Sequence, residues 1–241
     1  VSVQQFIEGQ NLQYLKKGTS SAESLTVSFW VRSNKTGTYI LELKDNDNTR
    51  AISQSYTISS ADTWEKKTLT FAGDTTGTLD NDNNASFLVQ FALAAGSDYT
   101  SGSLQTSWGA ETTANRYVGQ VNLADSTANE WYMTGLQVEA GTSASDFEFL
   151  PYDVNLRRCQ RYFYKLLQEQ WLFNIGNSTS RRTNVDFPVQ MRTTPTSTLI
   201  FDNTGTGSGT QFESKDKVTT YVNGISGDTH LDADTKFDAE L

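Results

Sequence analysis

With 241 residues, 36% of them hydrophobic and 12% aromatic, the chain can form one large β domain or two smaller ones with packed cores. A formal net charge of −9 argues against a nucleic-acid partner, because phosphate-backbone binding needs clustered Lys and Arg. No apolar run is long enough to cross a bilayer, so membrane insertion is not expected. The one cysteine, Cys159, excludes an intramolecular disulfide framework and a thiolate zinc site.

The first 150 residues show the two-residue alternation of half-buried strands. In residues 25–32, Leu25, Val27, Phe29 and Val31 alternate with polar residues and Trp30. Strands at this spacing, separated by polar turns, predict an antiparallel β-sandwich. The other predicted strands cover residues 39–43, 50–58, 63–71, 87–93, 117–123 and 130–139.

A junction follows the last of these strands. Pro151 ends the alternation, since proline has no backbone N–H to donate to a neighbouring strand and its ring fixes φ. Asp153 can then cap a helix over residues 153–161, in which Cys159 is predicted to be a small buried hydrophobe. We therefore expect one domain at 1–150 and a smaller β-rich domain at 151–241, with one short helix at the junction.

The second domain also has a strand pattern. A Gly-rich segment, residues 204–210, is predicted to be a flexible loop. The predicted strands cover residues 162–167, 171–175, 185–189, 198–201, 217–222 and 234–237.

Three stretches resemble a known family: LTVSFWVRS at 25–33, TGLQVEAG at 134–141 and FEFLPYDVNLRRCQRYF at 147–163. They are similar to bacteriophage and marine-virus tail-fibre or virion structural proteins, in which a jelly roll like a carbohydrate-binding module precedes a C-terminal part. The resemblance covers most of residues 7–165. It implies an antiparallel jelly-roll sandwich whose first strands are missing here, so the strand with Phe6 and Ile7 is expected to lie within the first sheet, and that sheet is expected to have a partner strand outside this chain.

The resemblance implies a non-enzymatic structural protein of the virion surface, in a tail fibre or other fibre that faces the host. Its partners would be other virion proteins and host cell-surface polysaccharide. Two alternatives remain open: a capsid decoration or head-fibre protein, and a carbohydrate-binding module of a secreted bacterial enzyme.

No catalytic motif supports an enzyme. His230 is the one histidine, and no Ser-His-Asp or Cys-His arrangement can be assembled around it. We therefore interpret His230 as a solvated loop residue.

Four aromatic residues are candidates for stacking on sugar rings. Trp30 and Trp64 are out of phase with the apolar residues of their strands, and Tyr99 and Trp108 lie in the loop-rich stretch 95–116. The alternative for Trp30 and Trp64 is burial in a second packing layer of an oligomer.

Two Asp/Asn runs offer hard oxygen ligands for a structural Ca²⁺ ion, and no other cofactor is expected. The candidates are Asp45, Asp47, Asp80 and Asp82. Neither run has the glycine or distal glutamate of an EF-hand loop, so a purely conformational role of Asp and Asn in turns is favoured over Ca²⁺ binding.

Residues 162–175 are apolar on both faces of a predicted strand, which favours an interface between copies. Since fibres of the resembled type are usually three-fold, we expect a homotrimer, unless the first domain covers this surface within one chain. The candidate interface residues are Tyr162, Tyr164, Trp171 and Phe173, with Arg158 and Arg161 at the polar rim.

Overall fold

The computed structural model describes residues 1–174, 180–203, 206–225 and 229–240. The chain divides into two compact units, Val1–Glu148 and Phe149–Leu241, a division two residues before the boundary predicted after residue 150. The predicted all-β class is confirmed, because the named strand pairs of both units are antiparallel. No helix in the described ranges is long and apolar enough to span a membrane.

The first unit is an antiparallel β-sandwich of jelly-roll type. A five-stranded sheet has the order β1-β6-β3-β4-β7, and a three-stranded sheet has the order β5-β2-β8. In chain order the strands are β1 Ser2–Glu8, β2 Leu25–Ser33, β3 Gly37–Asp45, β4 Arg50–Ile58, β5 Glu65–Phe71, β6 Ala85–Ala92, β7 Gly109–Ala110 and β8 Trp131–Ala140.

The core of this unit lies between the two sheets, where alternate residues of each strand meet. On β2, Val27, Phe29 and Val31 are fully buried. The Phe29 ring packs edge-to-face on Tyr56 and Phe91 of the other sheet, with ring centroids 5.1 and 4.9 Å apart. The alternation along β2 therefore marks the inner face, as the sequence predicts.

Gly135 lies at an irregularity in the pairing between β8 and β2. The register between the two strands shifts between Ser28 and Trp30, opposite Gly135. Gly135 has φ +60°, a left-handed conformation that costs glycine little and that other residues rarely adopt. The Thr-Gly pair of the 134–141 segment therefore forms a β-bulge beside Trp30.

The second unit begins with helix α1, Tyr152–Gln160, and its strands form three small sheets. Their orders are β10-β16, β11-β12-β15-β14 and β13-β17-β9. Fully buried Val185, Met191, Val218, Leu231 and Phe237 form its core. The strands are β9 Phe163–Lys165, β10 Gln170–Trp171, β11 Phe173–Asn174, β12 Arg181–Asp186, β13 Thr196–Thr198, β14 Gly207–Glu213, β15 Lys217–Asn223, β16 His230–Leu231 and β17 Lys236–Asp238.

Several local predictions are wrong. Residues 117–123 form no strand, because Tyr117 packs with Ile40 and Ala92 while Val121 and Leu123 pack against the sandwich core. Gly207–Thr210 belongs to β14, where it pairs with β15, although residues 204 and 205 of the predicted loop lie outside the described residues. Ile175 also lies outside them.

Cys159 is exposed, contrary to the prediction, because no residue of α1 is buried. Strand β1 lies at an edge of the five-stranded sheet, and whether a strand outside this chain pairs with it stays a prediction.

Candidate functional site

A groove of about 500 Å³ lies on the outer face of the five-stranded sheet, on the side away from the core. Strand register places two rows of side chains on this face of the sheet, and all of them except the fully buried Glu42 line the groove. One row is Gln4, Gln90 and Glu42, and the other is Phe6, Leu88 and Lys44. The floor therefore combines amide, charged and apolar groups on rigid, paired strands.

The segment between β6 and β8 forms one wall of the groove. Tyr99 stacks on buried Tyr117, with ring centroids 5.8 Å apart and an interplanar angle of 24°. The Tyr117 backbone N–H donates to the Tyr99 carbonyl at 3.0 Å, which joins the two turns. Tyr99 remains 39% exposed, so its ring is held in place while part of it faces solvent.

A buried ion pair anchors this wall to the floor. The Arg116 Nε lies 3.1 and 3.0 Å from the two carboxylate oxygens of Glu42, which is fully buried. Arg116 Nη2 also donates to Gln90 Oε1 at 3.2 Å, and the guanidinium lies 5.8 Å from the Tyr99 ring centroid. Arg116 thus holds strand β3, strand β6 and the Tyr99 segment together.

The charges around the groove neutralise one another. Arg116 Nη1 lies 2.9 Å from Glu111 Oε1, and Lys44 Nζ lies 2.6 Å from Glu111 Oε2. Burial raises the pKa of Glu42, although Arg116 opposes this shift. Burial lowers the pKa of Arg116, but the hydrogen bond and charge of Glu42 outweigh that effect, and the pKa is raised overall. Two cations thus face two carboxylates.

Polar groups remain for a ligand. The Gln90 carbonyl oxygen is engaged by Arg116, and its Nε2 amide donates to no protein group within the described ranges. Gln4 is exposed at the same row, and its Nε2 donates to Ser2 Oγ at 3.1 Å. The space beside Gly96 is open, since no atom lies within 4 Å of where its Cβ would be.

Trp30 lies on a different face, the outer surface of the three-stranded sheet, and Trp64 directly precedes β5 of that sheet. Each is 43% exposed, so neither is buried within this unit. Trp30 lies opposite Lys66 and Thr134, while neighbouring Arg32 lies 5.8 Å from the Tyr132 ring centroid. These aromatic side chains form an open surface, whereas Tyr99 lines a groove.

Trp108 is half-buried and its polar group is already used. Its Nε1–H donates to the Ala72 carbonyl at 2.7 Å, and its ring contacts Phe87 with centroids 6.1 Å apart. The Lys17 ammonium lies 5.5 Å from the ring centroid on another side. Trp108 and Tyr99 line different cavities.

Three of the four predicted calcium ligands make protein contacts through their carboxylates. Asp45 is fully buried and pairs with Lys17. Asp47 accepts the Asp80 backbone N–H at 2.9 Å, and Asp82 accepts that of Asn84 at 2.9 Å. These are contacts typical of turn-forming side chains, and Ca²⁺ binding at the two runs stays a prediction.

Within the described ranges, one group of His and carboxylate side chains brings three ligand atoms within 4.8 Å of one another. It consists of Glu169, His230 and Asp232 in the second unit, and none of the four aspartates above. His230 is not the solvated loop residue that the sequence suggests, because it belongs to β16 and its ring contacts Trp171.

The predicted interface residues separate into two groups. Tyr164 packs between Phe187 and Phe237 of the second core, and Tyr162 and Arg161 are half-buried. Arg158, Trp171 and Phe173 are exposed, as is Leu167.

No protein-family model and no curated protein matches the sequence. Among solved structures, recombinant discoidin II of Dictyostelium discoideum aligns with 91% of this chain and 73% of its own, at 11% identity and a TM-score of 0.18. Wild-type discoidin II from the same organism aligns with 90% of this chain and 70% of its own, at 10% identity and a TM-score of 0.17. Similarity at this level carries no argument about this chain, so the site rests on its own residues.

Proposed function

We propose that the first unit is a non-enzymatic carbohydrate-binding domain whose groove beside Tyr99 takes a neutral oligosaccharide. The observation that carries this proposal is the fixed, partly exposed Tyr99 ring above a floor of amide and apolar side chains. A sugar ring presents C–H groups on its faces and hydroxyl groups around its edge, so it needs both kinds of partner.

The chemistry of the groove fits this ligand class. Exposed Gln4 offers an amide group to hydroxyls and half-buried Phe6 offers apolar surface, while Gln90 and Leu88, each 5% exposed, form the floor beneath them. Because Arg116 and Lys44 are paired with Glu42 and Glu111, the groove presents no unpaired charge from this set to attract an ionic ligand. A neutral sugar is therefore favoured over a charged one.

Replacing Tyr99 with alanine should weaken oligosaccharide binding at least about tenfold, or about 1.4 kcal/mol. The reason is loss of a stacking face that Tyr117 holds in position before the ligand arrives. The ligand is first found by screening the chain on an array of neutral glycans, and affinity is then measured by isothermal titration calorimetry.

Tyr132→Ala is the matched control, since Tyr132 is a similarly exposed tyrosine on the other sheet. It should leave affinity unchanged. If Tyr132→Ala weakens binding and Tyr99→Ala does not, the sugar binds the Trp30 surface and the groove proposal is wrong.

We also propose that copies of the chain associate in a viral fibre, as the resemblance of residues 25–33 and 134–163 implies. The exposed Leu167 and Phe173 side chains of the second unit support an apolar contact between copies. Three copies would present three grooves, so modest single-site affinity would be reinforced by multivalency.

Light scattering coupled to size-exclusion chromatography should give three times the 26.7 kDa chain mass. Phe173→Asp should shift the distribution towards monomer, because it places a charge in the contact. Phe212→Asp replaces another exposed phenylalanine of the second unit and is the matched control. A monomeric wild-type chain at high concentration would end the trimer proposal.

A further inference from the structure

We propose that Glu169, His230 and Asp232 form a binding site for a divalent transition-metal ion, with Zn²⁺ as the best match. The site lies in the second unit and is independent of the sugar-binding groove. It rests on strand pairing, on the spacing of the ligand atoms and on the group that orients the imidazole.

Strand pairing places the three side chains on one face. Strands β10 and β16 are antiparallel, with Gln170 opposite Leu231 and Trp171 opposite His230. Leu231 is fully buried, so His230 and Asp232 on either side of it lie on the opposite face of the strand. Glu169 precedes β10 and continues the register to the position opposite Asp232.

The ligand atoms are close enough to share an ion. One atom from each side chain lies within 4.8 Å of the other two, and His230 Nε2 is 3.5 Å from Glu169 Oε1. Zinc bonds to imidazole nitrogen and carboxylate oxygen are about 2.0–2.2 Å long, which places tetrahedral ligand atoms about 3.4 Å apart. Because Glu169 is exposed, a rotamer change can bring its carboxylate to that distance.

A carboxylate faces the other nitrogen of the imidazole. His230 Nδ1 lies 3.2 Å from Asp202 Oδ2, although the two atoms are not aligned for a hydrogen bond, and Asp202 Oδ1 accepts the backbone N–H of His230 at 2.8 Å and the Thr229 hydroxyl. A carboxylate facing the non-ligating nitrogen is the usual partner of a metal-binding histidine, and it directs Nε2 towards the metal. Asp202 would thus be a positioning residue.

The donor set indicates the class of ion. One imidazole nitrogen and two carboxylate oxygens suit Zn²⁺, whereas Ca²⁺ and Mg²⁺ prefer oxygen ligands alone. Three protein ligands leave a fourth position for water. The Trp171 ring, centred 5.4 Å from the His230 ring, forms an apolar wall beside the site.

The test uses the full chain without an added histidine tag, because its one histidine then gives a single pair of imidazole C–H signals in the proton NMR spectrum. Zn²⁺ should shift those signals with saturation at one ion per chain, and calorimetry should give the same stoichiometry. Co²⁺ should in addition quench the fluorescence of Trp171, and Trp171→Phe should remove that quenching while leaving Co²⁺ affinity unchanged.

Variants separate the proposed site from surface carboxylates. His230→Gln and Asp232→Asn should each weaken Zn²⁺ binding at least about tenfold. Asp234→Asn is the matched control, since Asp234 is a neighbouring exposed aspartate that pairs with Lys165 at 2.5 Å. Amide NMR spectra check that each variant is folded. The proposal is overturned if millimolar Zn²⁺ leaves the His230 signals unchanged, or if folded His230→Gln binds Zn²⁺ as tightly as the wild type. In either case, His230 would contact Asp202 and Glu169 without holding a metal ion.

Discussion

Replacing Lys17 with methionine is expected to lower the free energy of unfolding of the first unit by about 3–5 kcal/mol. Lys17 is 5% exposed, and its ammonium contacts Asp45 and lies 3.1 Å from Asp74 Oδ2. It also donates to the carbonyls of Thr76 and Gly77 at 3.0 and 2.8 Å. Methionine keeps the length of the side chain but leaves the fully buried Asp45 carboxylate without its cation.

Asp74 keeps a second partner after this change. Arg50 donates to its two carboxylate oxygens at 2.7 and 2.9 Å. Burial raises the pKa of Asp74, but hydrogen bonds from Arg50 and Lys17 outweigh that effect and lower the pKa overall. The main loss in Lys17→Met therefore comes from Asp45.

The adjacent Lys16 provides the matched control. It pairs with Glu23 at 2.9 Å, but both side chains are about half exposed. Lys16→Met should change stability by at most about 0.5 kcal/mol, since exposed pairs contribute little. Urea unfolding followed through amide NMR signals of the first unit measures both variants. Equal stabilities for the two variants would contradict a structural role of the buried ammonium.

Replacing Arg116 with methionine is expected to destabilise the first unit by about 3 kcal/mol, because it leaves Glu42 buried without its partner. It should also loosen Tyr99, since the guanidinium connects the sheet to the segment that carries this ring. Loss of sugar affinity should therefore accompany the loss of stability.

A double-mutant cycle isolates the pair. Glu42→Leu with Arg116→Met removes both charges, so the double variant should be more stable than the sum of the single changes predicts, by at least about 1 kcal/mol. Lys16→Met serves as the control, because Lys16 pairs with Glu23 in an exposed position. Additive single effects would show that Glu42 and Arg116 do not depend on each other.

The sandwich could be predicted from sequence because each central strand buries one face. On β2 the apolar residues are inside and Trp30 is outside, as the alternation indicates. The groove could not be predicted in the same way. The polarity of Glu42 is typical of a solvent-facing residue, yet it is fully buried and pairs with Arg116, 74 positions along the chain. The alternation of apolar and polar residues shows which face of its own strand a residue lies on. It does not indicate a partner so far along the chain.

Predictions in the loops failed for related reasons. Tyr117, Val121 and Leu123 have strand-like spacing but pack in two different clusters. Their spacing therefore does not reflect one strand with a single buried face. Gly207 and Gly209 suggest a loop, but pairing with β15 makes them part of a strand. His230 and Glu169 come together only through the β10–β16 pairing, which short strands do not signal in sequence.

Amide NMR mapping of the first unit with the tightest-binding neutral oligosaccharide tests sugar binding in the groove most directly. Saturable shifts should be largest at Gln4, Gln90, Gly96 and Tyr99, which line the groove, and should disappear in Tyr99→Ala. Shifts confined to the surface around Trp30 and Trp64, or no shifts with any neutral oligosaccharide, would contradict the proposed site.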